Sequence, residues 1–356
     1  MGFDNIVDTI DRALESAGLK RDTPATSGVR ATIDRALAAA GLTAKVSSPT
    51  ERPPAPAPSR ARPAEYTDVG QFISLCHSSR HGNLRYKLYL PSGYDGSPMP
   101  LIVMLHGCKQ SPDDFAAGTR MNRLAEHHGF LVAYPAQEQR ANGSNCWNWF
   151  ESAQQTRAGV EPSLIAGMVG EIAGSHAVKQ GQVYVAGLSA GAAMAVILGR
   201  AYPEIFTAVA AHSGLPVGAA HDLPSAFAAM QGRAAAARPA RNEAPCVRTI
   251  VFHGDSDATV TQANGASIVR QSVAAFEQDG RALKRVVRSE AAAGGRRCTT
   301  TEFRDPAGQA MVEEWVVHGG SHAWFGGSGQ GSYTDPTGPD ASAQIVRFFL
   351  AREARG

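Results

Sequence analysis

The segment Gly187–Gly191, with the sequence GLSAG, constrains the fold of this chain more than any other stretch. It follows a β-branched, apolar run at 183–186 and precedes an alanine-rich run at 192–198 with helical composition. This order predicts a strand, a tight turn and a helix, with Ser189 at the turn. Such a turn strains the serine backbone and requires residues without bulk two positions before and after it. The segment therefore predicts a nucleophile elbow, although G-x-S-x-G is short and an ordinary strand–helix turn is the alternative.

Strand-like and helix-like runs alternate along most of the chain. Residues 84–90 alternate between apolar and polar, which predicts a half-buried strand near a sheet edge. Apolar runs typical of central parallel strands lie at 101–105, 131–134, 183–186, 249–252 and 314–317. Helical patterns lie at 115–128, 163–176, 190–202, 266–279 and 341–352. Alternation of this kind predicts an α/β fold with a doubly wound, mostly parallel sheet.

An elbow serine needs a general base, and the base needs a carboxylate that orients it. In an open α/β sheet these groups lie in loops after the carboxyl ends of strands. Two acids, Asp255 and Asp257, follow one predicted strand, and two histidines, His318 and His322, follow a later one. The chain order serine, aspartate, histidine is the order found in α/β-hydrolases, and it predicts that fold.

Within each pair, the later residue is the stronger candidate. Asp257 lies farther from the strand end, so its carboxylate has room to turn back toward the base, whereas Asp255 suits a turn or hydrogen-bonding role. His322 lies in a loop that contains glycine, whereas His318 ends the strand. We therefore predict Ser189 as the nucleophile, His322 as the base and Asp257 as the orienting acid.

An oxyanion hole requires two backbone N–H donors. One is predicted to be the N–H of Ala190, directly after the candidate nucleophile. The other is predicted to be the N–H of Cys108, in the loop after the apolar run 101–105, where Gly107 allows close approach of the backbone.

A second loop, Cys146–Phe150 with the sequence CWNWF, is unusually aromatic, and Trp324 follows the candidate base by two residues. These tryptophans can be interpreted in two ways. Trp147, Trp149 and Trp324 either anchor their loops in the hydrophobic core or form the aromatic wall of a substrate-binding cleft. The sequence leaves both interpretations open.

Composition narrows the classes of partner. The formal net charge is +2 and the basic residues form no runs with aromatic residues, so nucleic-acid binding is not expected. No apolar stretch is long enough to span a bilayer, so no transmembrane segment is expected. The eleven histidines include no H-E-x-x-H motif and the five cysteines no C-x-x-C motif. We therefore expect neither a metal nor another cofactor.

The N-terminal region contains an internal repeat. Residues 9–19 return at 32–42 with few changes, each as a short amphipathic helical pattern that ends near a glycine. We assign 1–46 to two repeated amphipathic helices, 47–64 to a proline-rich linker and 65–356 to the catalytic domain. Because the helices are too short to be stable alone, we expect them to dock on a polymer granule, a partner protein or a copy of themselves. Packing on each other or fraying is the alternative.

Many short motifs occur together in a fixed order along the chain. They are 105–108 (LHGC), 113–115 (DDF), 121–122 (MN), 134–135 (YP), 146–150 (CWNWF), 186–191 (AGLSAG), 253–254 (HG) and 322–327 (HAWFGG). Together they resemble the polyhydroxybutyrate (PHB) depolymerase-type esterases, which are α/β-hydrolases whose relatives include feruloyl and acetylxylan esterases. The resemblance runs from about Tyr66 to the C-terminus and implies the triad Ser189, Asp257 and His322.

The resemblance carries further expectations. It suggests that Cys108 and Cys146 form a disulfide beside the oxyanion loop. Similar proteins are often secreted, which suggests an extracellular or periplasmic location. The N-terminus, however, has neither the basic region nor the continuous apolar region of a signal peptide, so a cytoplasmic location stays open.

The residues and the resemblance together predict a serine esterase that hydrolyses carboxylic esters through an acyl-enzyme, without a cofactor. The expected substrate is poly(3-hydroxybutyrate) or another short-chain polyhydroxyalkanoate, or its oligomers. A feruloyl or acetylxylan esterase of plant cell walls is the nearest alternative. A non-catalytic granule- or partner-binding protein on the same fold is an alternative of another class, although such a protein has no need for an elbow serine.

Overall fold

The computed structural model of the protein describes residues 69–233, 245–291 and 295–351, and a ten-stranded sheet organises them. The predicted N-terminal helices at 1–46 and the linker at 47–64 lie outside the described residues. No described helix combines the length and the apolar character needed to cross a bilayer.

The sheet is mostly parallel at its centre and antiparallel at both edges. In spatial order its strands are β1 (Gln71–Ser79), β2 (Gly82–Leu90), β4 (Leu131–Pro135), β3 (Met99–Leu105), β5 (Val178–Leu188), β6 (Ala208–His212), β7 (Arg248–Gly254), β10 (Ala310–Val317), β9 (Arg297–Arg304) and β8 (Lys284–Ala291). The neighbours from β4 to β10 pair in parallel, whereas β1, β2, β9 and β8 pair antiparallel. A short parallel pair, β11 (Trp324–Phe325) and β12 (Thr334–Asp335), lies outside this sheet.

Burial of the strands explains their sequence patterns. Every residue of β4, β6 and β7 is buried, because helices cover both faces of the central parallel strands. The edge strand β2 instead alternates between buried and exposed positions along its first half. The continuous apolar runs of the sequence thus mark the centre of the sheet, and the alternating run marks its edge.

Helices pack on both faces of the sheet. In chain order they are α1 (Pro112–Thr119), α2 (Met121–His128), α3 (Val160–Ser175), α4 (Ala190–Ala201), α5 (Leu223–Met230), α6 (Gln262–Gln278) and α7 (Ala341–Leu350), with a 3₁₀ turn at Ser152–Gln155. On one face, Leu101, Val103 and Leu105 share a core with α3 and α4. On the other, Ile102 and Met104 share a core with α1, α2 and α7, because successive strand residues point to opposite faces. The predicted doubly wound α/β sheet is confirmed.

The structure divides one predicted helix in two. The helical pattern at 115–128 is interrupted at Arg120, which has φ 55° and ψ 27° and therefore takes the left-handed conformation. The Arg120 N–H ends α1 by donating to Ala116 O at 3.0 Å, and its guanidinium donates to Gly326 O. The spacing of apolar residues at 115–128 does not indicate this break, because the conformation of Arg120 depends on a contact with Gly326, which is distant in the sequence.

Two helical glycines allow a test of how tightly the helices meet the sheet. A Cβ at Gly199 of α4 would lie 2.4 Å from Val209 Cγ2, whereas a Cβ at Gly170 of α3 would have no neighbour within 4 Å. Gly199→Ala should therefore lower the free energy of unfolding by about 1–3 kcal/mol through overpacking. Gly170→Ala should raise it by about 0.5–1 kcal/mol through helix propensity. Urea denaturation of both variants checks this, and shifts in the same direction would contradict the close packing of α4 on β6.

Candidate active site

Ser189 lies at the turn between β5 and α4 in a strained conformation. Its φ is 57° and its ψ −119°, and its N–H donates to His212 O at 2.9 Å. The flanking glycines are required by close backbone contacts. A Cβ at Gly187 would lie 2.3 Å from the carbonyl of Gly191, and a Cβ at Gly191 would lie 2.2 Å from Leu105 O. The turn thus has the geometry of a nucleophile elbow, with the serine partly exposed at the carboxyl edge of the sheet.

Asp257 and His322 meet at the same edge. They follow β7 and β10, which are adjacent parallel strands, and His322 Nδ1 lies 2.8 Å from Asp257 Oδ2. The two loops also contact through their backbones, since a Cβ at Gly254 would lie 2.1 Å from Gly320 O. The structure therefore brings together the acid and the base that the sequence selects.

The environment of Asp257 keeps its carboxylate ionised. The side chain is fully buried, and burial raises the pKa of Asp257. Hydrogen bonds from His322 and from the N–H of Val260, at 2.8 Å each, outweigh that effect and hold the pKa below its ordinary value. A carboxylate only accepts hydrogen bonds, so Nδ1 of His322 is the donor to Asp257, and in the neutral imidazole the lone pair is on Nε2. This is the tautomer that a general base requires.

The two residues that the sequence ranked second also pair with each other. His318 Nδ1 lies 2.8 Å from Asp255 Oδ2, and His318 Nε2 lies 2.9 Å from Thr299 Oγ1. The side chains are 43% and 40% exposed, in contrast to the buried Asp257. The hydrogen bond from His318 lowers the pKa of Asp255. This outer pair joins the ends of β7, β10 and β9, which is the hydrogen-bonding role expected of Asp255.

The loop after β3 presents the candidate oxyanion donor. The Gly107 N–H donates to Gln110 Oε1 at 2.9 Å, and His106 Nδ1 donates to Gly107 O at 2.8 Å. A disulfide joins Cys108 to Cys146, the pairing that the family resemblance suggests. Within the described part of the chain, the N–H groups of Cys108 and Ala190 donate to no other residue. Both donors are therefore available to a ligand.

All three candidate tryptophans are buried. Their exposures are 0% for Trp147, 6% for Trp149 and 1% for Trp324. Trp147 Nε1 donates to His106 O at 3.1 Å, which anchors the loop that carries Cys108. This burial favours the core-anchor interpretation over an aromatic wall that faces a cleft.

His212 holds the loop of the candidate base, and the sequence reasoning did not select it. Its Nε2 accepts from the N–H of Phe325 at 3.1 Å, and its ring stacks on Trp324 with centroids 4.9 Å apart. Burial, followed by the nearby charges of His253 and His322, lowers the pKa of His212 well below its ordinary value. A histidine directly after the apolar residues 208–211 is the signal that the sequence offers.

A buried carboxylate holds the aromatic loop and was also missed. Glu161, 6% exposed at the start of α3, accepts from Asn148 N–H at 2.9 Å, Asn148 Nδ2 at 2.6 Å and Gln137 Nε2 at 2.5 Å. Burial raises its pKa despite these hydrogen bonds. The contact fixes Asn148, which lies between two of the tryptophans. No local pattern around Glu161 distinguishes it from a solvated helix residue.

No group of histidine, cysteine and acidic side chains within the described ranges has the arrangement of a metal site. The edge of the sheet instead carries a strained serine, a buried aspartate hydrogen-bonded to a histidine, and two backbone N–H groups without another acceptor among the described residues. That set supports acyl transfer.

Comparison with known proteins identifies the family. Residues 84–301, more than half of the chain, match the family described as esterase PHB depolymerase. The chain belongs to the PHB depolymerase esterase family. The matched segment contains Ser189 and Asp257 and ends before His322, so the role of that histidine depends on the geometry above.

Several relatives fit this assignment. Poly(3-hydroxyalkanoate) depolymerase C of Paucimonas lemoignei is 34% identical over 200 residues, which are 53% of this chain and 48% of that protein. Feruloyl esterase B of Neurospora crassa is 35% identical over 134 residues, 37% of this chain and 44% of that protein. An acetyl xylan esterase structure from Aspergillus awamori has a TM-score of 0.60 at 20% identity and covers 78% of this chain and 98% of its own. The chain spans about half the length of these curated relatives, and the structural likeness shows the α/β-hydrolase fold.

The lowered pKa of Asp257 predicts how stability depends on pH. The folded-state value lies below the unfolded value of about 3.9, so ionised Asp257 stabilises the fold above that pH, and the stabilisation is lost on acidification below it. Asp257→Asn should therefore show a flatter acid limb than the wild type when the free energy of unfolding is measured from about pH 6 to pH 3. Asp255→Asn is the control, because that pair is exposed and solvent screens it. If the free energy of unfolding fell with acidification equally in the wild type and in Asp257→Asn, the lowered pKa of Asp257 would be contradicted.

Proposed function

We propose that the protein is a serine esterase that hydrolyses carboxylic esters through an acyl-enzyme. The observation that carries the proposal is the strained Ser189 at the same sheet edge as the buried Asp257–His322 pair. Strain at an otherwise regular strand–helix turn is expected where function requires it. A non-catalytic protein on this fold would need neither the strained serine nor the oriented imidazole.

In the proposed first step, Ser189 Oγ attacks the ester carbonyl carbon while His322 Nε2 takes the hydroxyl proton. The N–H groups of Cys108 and Ala190 donate to the oxygen that becomes negative, and Asp257 stabilises the imidazolium. His322 then gives the proton to the leaving alcohol as the carbon–oxygen bond breaks. Water repeats the sequence on the acyl-enzyme, releasing the acid and restoring Ser189.

The proposed substrate is a short-chain poly(3-hydroxyalkanoate) such as poly(3-hydroxybutyrate), or its oligomers. Support comes from the family match and from the Paucimonas relative, whose name specifies that polymer class. Feruloyl or acetylxylan ester hydrolysis is a second candidate, because the Neurospora feruloyl esterase has a similar identity over a shorter segment. The reacting groups are the same in both cases, so only the surroundings of the ester differ.

Replacing the nucleophile tests the reaction class. Ser189→Ala should lower kcat for a soluble ester such as p-nitrophenyl butyrate by about 10⁴-fold or more, because oxyanion hole and binding alone leave a small residual rate. Stability should change by less than about 1 kcal/mol, because the small side chain at a turn packs little. Asp257→Asn should cause a loss of about the same order, and Asp255→Asn is the matched control with a far smaller loss. Substantial activity in Ser189→Ala would exclude the serine mechanism, and the reverse ranking of the aspartates would exchange their roles.

A substrate panel tests the proposed ester. The panel consists of 3-hydroxybutyrate oligomers, methyl ferulate, acetylated xylan and poly(3-hydroxybutyrate) particles. Among the three soluble or dispersed substrates we expect the highest kcat/KM for the oligomers. We also expect release of 3-hydroxybutyrate from the particles. Initial rates of acid release measure all four on one scale, and Ser189→Ala serves as the blank. Preference for methyl ferulate or acetylated xylan would select the second candidate and leave the mechanism unchanged.

A further inference from the structure

Tyr333 lies beside the loop that carries His322. It precedes β12, which pairs in parallel with β11 so that Trp324 is opposite Thr334. This register places Tyr333 beside Ala323, the residue directly after His322. The N–H of Trp324 donates to Tyr333 O at 2.7 Å. One side of Tyr333 is therefore bounded by the segment of the candidate base.

The other side of Tyr333 is bounded by the oxyanion loop. The preceding residue, Ser332, accepts through its carbonyl from Gln110 Nε2 at 3.1 Å. The same Gln110 side chain accepts from the Gly107 N–H at 2.9 Å, next to the candidate donor Cys108. One side chain thus links the backbone at Tyr333 to the loop that receives the carbonyl oxygen.

Contacts around Tyr333 hold its backbone in a conformation that its side chain disfavours. Its φ is 53°, which is rare for a bulky residue. Asp114 accepts from the Ser332 N–H at 2.8 Å and from Ser332 Oγ at 2.6 Å. A Cβ at Gly331 would lie 2.4 Å from Asp114 O, so the segment packs directly on the α1 backbone. Asparagine or glycine would suit this position better as far as the backbone is concerned.

The Tyr333 ring does not contribute to the core. The residue is 42% exposed, and in the described ranges its hydroxyl has no hydrogen bond and its ring no aromatic partner. An exposed aromatic ring at a strained, firmly held position is poorly explained by folding alone. Position, strain and exposure together point to a contact outside the protein.

We propose that Tyr333 contacts the alcohol portion of the ester substrate and selects for its size. The inference rests on the proposed esterase reaction. In the tetrahedral intermediate, one oxygen points to the oxyanion donors, and the alcohol oxygen points to His322, which protonates it. Because Tyr333 is bounded by both the oxyanion loop and the His322 segment, we assign it to the alcohol side of the ester rather than to the acyl side. The ring offers an apolar face and a hydroxyl, which suits an alcohol that continues into an apolar ester chain.

The experiment compares two ester series on the full chain. In the first, butyrate is fixed and the alcohol is ethanol or benzyl alcohol; in the second, ethanol is fixed and the acyl group is acetate or hexanoate. Tyr333→Ala should lower kcat/KM for benzyl butyrate by about tenfold or more, mainly through KM, and change the three ethyl esters by less than about twofold. Val287→Ala, a similarly exposed apolar site on the edge strand β8, is the control and should change none of the four.

A second variant separates contact from folding. Tyr333→Asn should keep or raise the melting temperature, because asparagine tolerates the left-handed backbone, and should show the same loss on benzyl butyrate as Tyr333→Ala. An equal loss on all four esters, a loss confined to hexanoate, or unchanged kinetics would overturn the proposal for Tyr333 while the esterase function stands. Absence of ester hydrolysis by the wild type would instead overturn the proposed function, and the role of Tyr333 with it.

Discussion

The approach of the Gly191 backbone to the end of β3 determines where the reacting groups can lie. A Cβ there would be 2.2 Å from Leu105 O, so α4 can begin only where two backbones touch. That contact places the N–H of Ala190 next to the loop after β3, which carries Cys108, the second proposed donor. A single larger side chain at position 191 would move the two proposed oxyanion donors apart. The elbow glycines are therefore a requirement of the site as much as of the turn.

The loops around the elbow are fixed by buried polar groups. His106 and Trp147 hold the oxyanion loop, and His212 holds the segment after the candidate base. Burial lowers the pKa of His106 and of His212, so both are neutral and act as fixed hydrogen-bonding groups at physiological pH. This leaves Asp257 as the ionised group paired with the base. An additional buried cation near His322 would compete for that carboxylate.

Short sequence patterns predict those features of the site that residues close together in the sequence determine. The elbow, the order of Asp257 and His322 after apolar runs, and the central strands are of this kind. His212 and Phe325, which are in contact, lie 113 positions apart in the sequence, and Asp114 and Ser332 lie 218 positions apart. No spacing rule indicates such pairs, because only the folded sheet edge brings them together. For the three tryptophans, the sequence leaves open whether they anchor their loops in the core or line a substrate-binding cleft. Only the fold shows that they are buried.

Backbone strain is concentrated where the chemistry is proposed. The non-glycine residues with positive φ in the described ranges are Lys109, Arg120, Asn145, Ser189, Ser213 and Tyr333. Lys109 and Asn145 adjoin the disulfide-linked cysteines 108 and 146, and Ser213 follows His212. Ser189 lies at the elbow, Tyr333 accepts from the N–H of Trp324, and Arg120 donates to Gly326 O in the segment after His322. Each such conformation costs of order 1–3 kcal/mol and persists only where the surroundings determine it. The surroundings are the end of β5 at Ser189, the hydrogen bonds of Asp114 and Gln110 at Ser332, and the contact of Arg120 with Gly326 O. The free energy gained by burying the core of the sheet therefore offsets the cost of the strained backbone positions at its edge, where the ester is proposed to bind.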